Sequence, residues 1–205
     1  MFGFDSYMIF RIPALLIALT FHEYAHARVA ASFGDPTPRA LGRLTLNPVA
    51  HLDPIGLLML WLFQFGWAKP VPVNPNNFYN RRRGMFWVAL AGPLSNVLIA
   101  FTVAVLKVVF LQLNLLSFEL QMVLDFTYTY NLMFAVFNLM PLPPLDGSKV
   151  LSSLWPQMGY WFERIEPYAT FVLMGLMFTG VFSMIIYPAV RALSFIIKSV
   201  ILIFV

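Results

Sequence analysis

The sequence predicts an all-α integral membrane fold. It would have about four full transmembrane helices, one short re-entrant or interfacial segment, and short extended or β elements. Three observations carry that prediction. Of 205 residues, 60% are hydrophobic and only 11% charged, whereas a soluble domain carries roughly 25% charged residues. The mean hydropathy is +0.77. The apolar residues are gathered into stretches of helix-spanning length. A soluble body of this size could not cover its surface with 13 basic and 9 acidic side chains, and lipid removes that need. Disorder, collagen and coiled coil are excluded by the same composition. Cysteine is absent, so there is no disulfide framework, thiolate metal site or cysteine nucleophile. The net charge of +4 is modest and gives no sign of nucleic-acid binding.

The first apolar stretch runs from about Tyr7 to Phe33. Arg11, the apolar run Ile12–Phe21 and Ala25-His26-Ala27 loosely resemble a signal peptide with a small-x-small cleavage site. Three ionisable groups within His22–His26 argue against that reading. Gly34 to Asp53 is rich in turn residues, and Arg43 to Leu46 alternates like a short strand. Asp53-Pro54 reads as an N-cap followed by the first helical residue. The helix after it, Ile55 to Phe65, covers about 17 Å at 1.5 Å per residue, far less than a hydrocarbon core of about 30 Å. It is therefore expected to be re-entrant or interfacial.

Pro70, Pro72 and Pro75 make Gly66 to Asn77 an extended segment. Arg81-Arg82-Arg83 reads as a membrane-surface anchor. Gly84 to Leu113 and Leu120 to Met140 are the next full spans, and Pro141-Leu142-Pro143-Pro144 closes the latter. Gly147 to Glu166 is mixed and interfacial in character. Tyr168 to Tyr187 is expected as a C-terminal span, about 168–187, followed by a short apolar tail from Ile196. The chain thus reads as one domain, 1–205, with a catalytic core over about 7–150.

Orientation follows from the basic residues. Arg28, Arg39, Arg43, Lys69 and Arg81 to Arg83 cluster between the first and second full spans. The loop Gln112 to Glu119 has no Lys or Arg. The first group is expected on the cytoplasmic face, with the N-terminus outside.

The chemistry lies in His22-Glu23-Tyr24-Ala25-His26, an H-E-x-x-H run on a helix. Spacing i, i+4 puts both imidazoles on one face, able to share a zinc ion. Glu23 is placed to serve as general base toward a water on the metal. The competing reading is a polar helix-packing cluster, but ionisable residues within a span point to function. Two histidines leave a catalytic zinc one protein ligand short. His51, the remaining histidine, lies in a turn-rich loop and is expected to stabilise it. Asp146 is the strongest candidate, because the prolines before it end a helix and let an irregular backbone carry a carboxylate inward. Two imidazoles, one carboxylate and an open position make a hydrolytic arrangement. Asp125, near the outer end of its span, is expected to be solvated.

These pieces resemble the site-2 proteases, the intramembrane zinc metalloproteases. The resemblance rests on His22-Glu23-Tyr24-Ala25-His26, on Gly92-Pro93-Leu94-Ser95-Asn96 as a G-P-x-x-N element, and on Asn138 to Gly147. The last fits N-x-x-P-x-x-P-x-D-G, with Pro143 and Pro144 where the pattern has one proline. More loosely it extends through Gly42–Gly56 and Gly66–Phe78, covering most of Leu16 to Lys149. It implies one zinc per chain on His22, His26 and Asp146, with Glu23 as general base and acid. It also implies Asn138 near the metal as a donor to the developing oxyanion. Asn96 would position substrate or hydrogen-bond between helices, and Asn131, on the face of Asn138, would be structural. The PDZ and CBS domains of many members have no room here, so a minimal form is expected.

The resemblance implies a transmembrane protein as substrate, cleaved within or near its membrane helix, and the lipid bilayer as surroundings, with no nucleic-acid partner. A substrate helix must first unwind to expose a carbonyl. The extended segment Lys69–Val73, through Val71 and Val73, could pair with the unwound strand. The expected place is a prokaryotic cytoplasmic membrane, crossed several times, with the site toward the cytoplasm. The alternatives are a zinc-binding membrane transporter and a proteolytically inactive membrane scaffold. No internal repeat supports the transporter, and the presence of every candidate catalytic residue argues against the scaffold.

Overall fold

The computed structural model describes residues 7–63 and 67–203, and every regular element among them is a helix. In chain order these are α1 (Met8–Ser32), α2 (Thr37–Ala40), α3 (Pro54–Phe63), α4 (Arg81–Gln112), α5 (Phe118–Asn138), α6 (Asp146–Leu154), α7 (Pro156–Phe178) and α8 (Val181–Leu202). Two 3₁₀ turns, Pro48–His51 and Pro75–Asn77, lie in the connections.

α1, α4 and α5 pack on one another and form the centre. α1 meets them through Ala14, Ala18, Ala27 and Ala30, all without solvent exposure. Such small side chains let helix backbones approach closely where lipid offers no hydrophobic drive. Polar side chains start the two long partners. Asn80 Oδ1 accepts from the Arg83 N–H at 2.9 Å ahead of α4, and Ser117 Oγ from the Leu120 N–H at 3.2 Å ahead of α5. α6 lies on α4, α7 on α6, and α8 on α5. Ala100, Leu132, Ile197 and Ile201 knit α4, α5 and α8 together. Leu145, Leu173 and Phe182 join the start of α6 to α7 and α8.

The helical class stands as expected, and several details differ. Among the described residues three helices, α1, α4 and α8, are long and apolar enough to cross a membrane, where the sequence suggested about four. α5 falls short because it carries Glu119, Asp125, Thr127, Asn131 and Asn138. Packed against α1 and α4, it satisfies part of that polarity inside the bundle. The expected span 168–187 is interrupted instead of continuous. α7 ends at Phe178, and Gly180, at φ +75°, turns the chain into α8. A left-handed residue breaks a helix, and glycine takes that conformation without strain. The tail from Ile196 is therefore the second half of α8 as far as Leu202; Phe204 and Val205 lie outside the described residues.

No strand forms among the described residues, so Arg43 to Leu46 is not one. The β element is a lone antiparallel bridge between Leu52 and Ala68. That bridge has a consequence for the short helix. Asp53 Oδ1 caps it by accepting from Gly56 N–H at 2.8 Å. Lys69 N–H then returns to the His51 carbonyl at 2.9 Å. The chain leaves and comes back at the same place. Gln64, Phe65 and Gly66 lie outside the described residues. In the small-x-small run Ala25-His26-Ala27, Ala27 is fully buried and α1 runs unbroken through it. Asp125 is not merely solvated, because it pairs with Lys107 across α4 and α5.

Candidate metal centre

His22 and His26 lie one turn apart on the buried face of α1, and Asp146 is the first residue of α6. The fold brings all three together. The two histidine Nε2 atoms are 3.0 Å apart. Asp146 Oδ2 lies 3.2 Å from His22 Nε2 and 3.1 Å from His26 Nε2. Each of the three residues is at most 8% exposed.

The two imidazoles are oriented from behind. His22 Nδ1 donates to Asn96 Oδ1 at 2.7 Å. Asn96 is on α4 and has no solvent exposure. Its amide nitrogen donates to the Ala18 carbonyl at 3.0 Å and to Asn131 Oδ1 at 2.8 Å. Asn131 on α5 donates in turn to the Thr127 carbonyl at 2.8 Å. His26 Nδ1 donates to the Val88 carbonyl of α4 at 2.6 Å. With an oxygen acceptor at each Nδ1, the proton of each neutral ring sits there, and each Nε2 presents a lone pair.

With both rings in that tautomer, three acceptor atoms face one another across 3.0 to 3.2 Å. Asp146 Oδ2 is buried without a hydrogen-bond donor among the described residues. Such a triangle repels itself unless a cation fills it. Its edges are close to the roughly 3.3 Å between ligand atoms that sit 2.0–2.1 Å from a tetrahedral zinc. The donor set, two imidazoles and a carboxylate, suits the same ion. α4 leaves room for it at Gly92. A Cβ there would fall 2.5 Å from both His22 Cε1 and His26 Nε2. Only glycine lets the helix pass so close. At the next residue Pro93 has no N–H for the carbonyl one turn back.

Glu23 is held differently. Its Oε2 accepts from the N–H of Val71 at 2.9 Å. Pro70 and Pro72 have no N–H, so donors of this segment lie only on the edge shared by Lys69, Val71 and Val73. The segment is pinned by three groups. The Lys69 carbonyl accepts from the buried Arg43, and Lys69 N–H meets His51. Asp35, at the end of α1, accepts from Asn74 N–H at 2.8 Å, Asn77 Nδ2 at 2.8 Å and the Thr37 hydroxyl at 2.6 Å. Burial would raise the Asp35 pKa, but these donors outweigh it and hold the carboxyl below its ordinary value of 3.8.

Asn96 sits behind the histidines with both amide hydrogens and its oxygen engaged by His22, Ala18 and Asn131. Asn131 is fully buried and hydrogen-bonds Asn96 and the Thr127 carbonyl. Asn138, the last residue of α5, turns its amide nitrogen to the Phe134 carbonyl of its own helix at 3.1 Å. His51 is buried with Nε2 on the Thr45 carbonyl at 2.9 Å. It stands outside the metal-binding group found among the described residues. Val71 touches Glu23 directly; Val73 packs with Phe78 and Val88. Sequence reasoning missed the parts played by Gly92, the Val88 carbonyl, Arg43 and Asp35. Gly-Pro inside an apolar helix was the one visible signal, since glycine at a crowded crossing marks close approach.

Known proteins are similar to this chain in sequence. The model of Peptidase family M50 matches residues 108–181, a stretch that includes Asp146. The chain is 37% identical over 193 residues to "Putative zinc metalloprotease YwhC" of Bacillus subtilis, covering 91% of this chain and 88% of that protein. It is 31% identical over 164 residues to "Putative zinc metalloprotease MJ0611" of Methanocaldococcus jannaschii, covering 75% and 80%. It is 31% identical over 144 residues to "Putative zinc metalloprotease Rip2" of Mycobacterium tuberculosis, covering 68% and 55%. No solved structure matches it.

Proposed function

The chain belongs to peptidase family M50, the site-2 proteases, and from that membership we propose that it hydrolyses peptide bonds within or near the transmembrane helices of membrane proteins. His22, His26 and Asp146 hold one zinc ion, and Glu23 is the general base. The observation that carries this reading is the triangle of bare acceptor atoms on Nε2, Nε2 and Oδ2. Bound zinc supplies Lewis-acid activation of a water and charge stabilisation at the scissile carbonyl.

The chain's own groups do the rest. Asn96 and the Val88 carbonyl keep each imidazole proton on Nδ1. Glu23 takes the proton of the attacking water and delivers it to the leaving amine. Asn138 has a second amide hydrogen for the oxyanion. The substrate must be extended to react, and it pairs with the Lys69–Val73 edge. At Val71 that edge is already in use by Glu23. Pairing there draws the Val71 N–H to the substrate and leaves the Glu23 carboxylate for its water.

Orientation rests on charge. Arg28 near the end of α1, Arg39, and Arg81 to Arg83 at the start of α4 sit at one end of the bundle. That end faces the cytoplasm of a prokaryotic cell by the positive-inside rule. This reading has water reach the site from that side.

The test is the metal content of detergent-purified protein beside its Asp146→Ala variant. About one zinc per chain, lost or weakened in the variant, is expected. A well-folded wild type without zinc overturns the reading, and zinc fully retained by the variant removes Asp146 as a ligand. Glu23→Gln separates a protease from a zinc transporter, since it abolishes cleavage and keeps the metal.

A further inference from the structure

We infer that Arg82 is a positioning residue for the metal site: it clamps the far end of the helix that begins with Asp146. The proposal rests on Asp146 being a zinc ligand. As sequence, Arg81-Arg82-Arg83 is a uniform charge run. The structure separates its members. The side chains of Arg81 and Arg83 make no hydrogen bond or ion pair among the described residues. Arg82 instead reaches across to α6, donating from Nε to the Ser153 carbonyl and from Nη2 to the Leu154 carbonyl at 2.6 Å.

α6 needs that help. It has nine residues, too few to be helical alone in water. Its last four carbonyls have no partner within the helix. Trp155 N–H takes the Leu151 carbonyl at 2.8 Å, and Pro156 then has no N–H to offer. Ser153 and Leu154 are left with donors only from outside, and the Arg82 fork supplies them. A cation is also favoured at a helix C-terminus.

The other end of α6 is held by fit. Leu145, its N-cap, provides no side-chain cap. Gly147 lies so near the carbonyls of Leu139 and Met140 that an added Cβ would sit 2.3 and 2.4 Å from them. Asp146 lies between Leu145 and Gly147, so its carboxylate moves with α6 as a body. Arg82 belongs to α4, which also carries Val88, Gly92 and Asn96 against the two histidines. One helix thus orients the imidazoles at its middle and fixes the carboxylate's helix at its start. Without Arg82, α6 keeps its contact at Gly147 but can swing about it, and the three donor atoms lose their register.

The test compares purified, zinc-free Arg82→Ala and Arg82→Lys with Arg81→Ala and Arg83→Ala. Zinc affinity is read by competition with a chelator, the coordination by the visible spectrum of the cobalt form, and the motion of α6 by hydrogen exchange over 146–154. The expected result for Arg82→Ala is zinc binding weakened about tenfold, an altered cobalt spectrum and faster exchange in α6, with an unchanged melting temperature of the zinc-free protein. Arg82→Lys, with one cation but no fork, falls between, while Arg81→Ala and Arg83→Ala match the wild type. Wild-type affinity in Arg82→Ala overturns the proposal, as does equal weakening in Arg81→Ala. If Arg82→Ala does not fold, Arg82→Lys decides, and wild-type exchange and affinity in it overturn the clamp. A wild type that binds no zinc instead refutes the underlying reading, whereas the exchange over 146–154 still reports on the clamp.

Discussion

His22 and Glu23 are neighbours in the chain, yet different regions of the molecule hold them. The imidazoles are oriented by helices: Asn96 and the Val88 carbonyl on α4, with Asn131 on α5 behind. The carboxylate is held by an irregular segment, through the Val71 N–H, and that segment is pinned by Asp35, Arg43 and His51. A metal ligand gains from rigidity, because every loose donor costs affinity. A general base must let go of one partner to serve another, and a loop edge can exchange partners more readily than a helix face. Metal binding and proton transfer should therefore be separable by mutation.

The largest effect should come from the helical region. Gly92→Ala puts a methyl 2.5 Å from His26 Nε2, in the space the donor atoms share. Zinc content should fall to background while the helical circular dichroism of the purified protein is retained. A Gly92→Ala protein with full zinc would mean that α4 can retreat and that the wall is not rigid. The loop region should behave in the opposite way. Val71→Pro removes the N–H on Glu23 and one donor of the strand edge. Cleavage of a membrane substrate should fall by about tenfold or more, with zinc affinity unchanged. Unchanged cleavage would sink the strand-pairing reading.

The smallest effect belongs to the anchor of the loop. Asp35→Asn weakens charge-assisted bonds from Thr37, Asn74 and Asn77 and should cost about 1–3 kcal/mol. It should leave zinc bound and reduce cleavage a few-fold. The pH dependence has a definite sign. The folded pKa of Asp35 lies below its ordinary value of 3.8, so the group stabilises the fold fully above the unfolded pKa. That contribution is lost as pH falls through the folded pKa. Melting curves of wild type and Asp35→Asn should accordingly differ at neutral pH and converge in acid. A constant gap down to the lowest pH would assign the effect to packing instead of to charge.

Parts of this architecture were legible in advance for local reasons. His22, Glu23 and His26 lie within five residues, and the helical period alone puts the imidazoles on one face. Asp53-Pro54 announced α3, because an N-cap and a proline at the first helical position act locally. The prolines also foretold that residues 69–74 form no helix, but the expected extended run to Asn77 stops short, because Pro75–Asn77 is a 3₁₀ turn. Other parts were hidden because they depend on which surfaces meet. Asn96 could have faced substrate or a neighbouring helix, and only the approach of α1 and α5 gave its amide three partners. The break at Gly180 was masked by apolar residues on both sides, since hydropathy does not register backbone conformation. The polarity of α5 read as compatible with a span, whereas its buried amides are spent on neighbouring groups.

The sequence by itself determined the membrane class and the pair of histidines with the glutamate beside them, and it offered an aspartate after a proline-rich turn as the candidate partner. Each follows from composition or from short-range geometry, which a chain carries wherever it goes. The tertiary structure alone decided that Asp146 Oδ2 lies 3.1–3.2 Å from both imidazoles. It alone set Gly92 against them, placed Val71 on Glu23, and took Arg82 out of a charge run to hold the end of α6. Those contacts join residues far apart in the chain. Their existence depends on close packing of whole helices, whose positions no local pattern encodes.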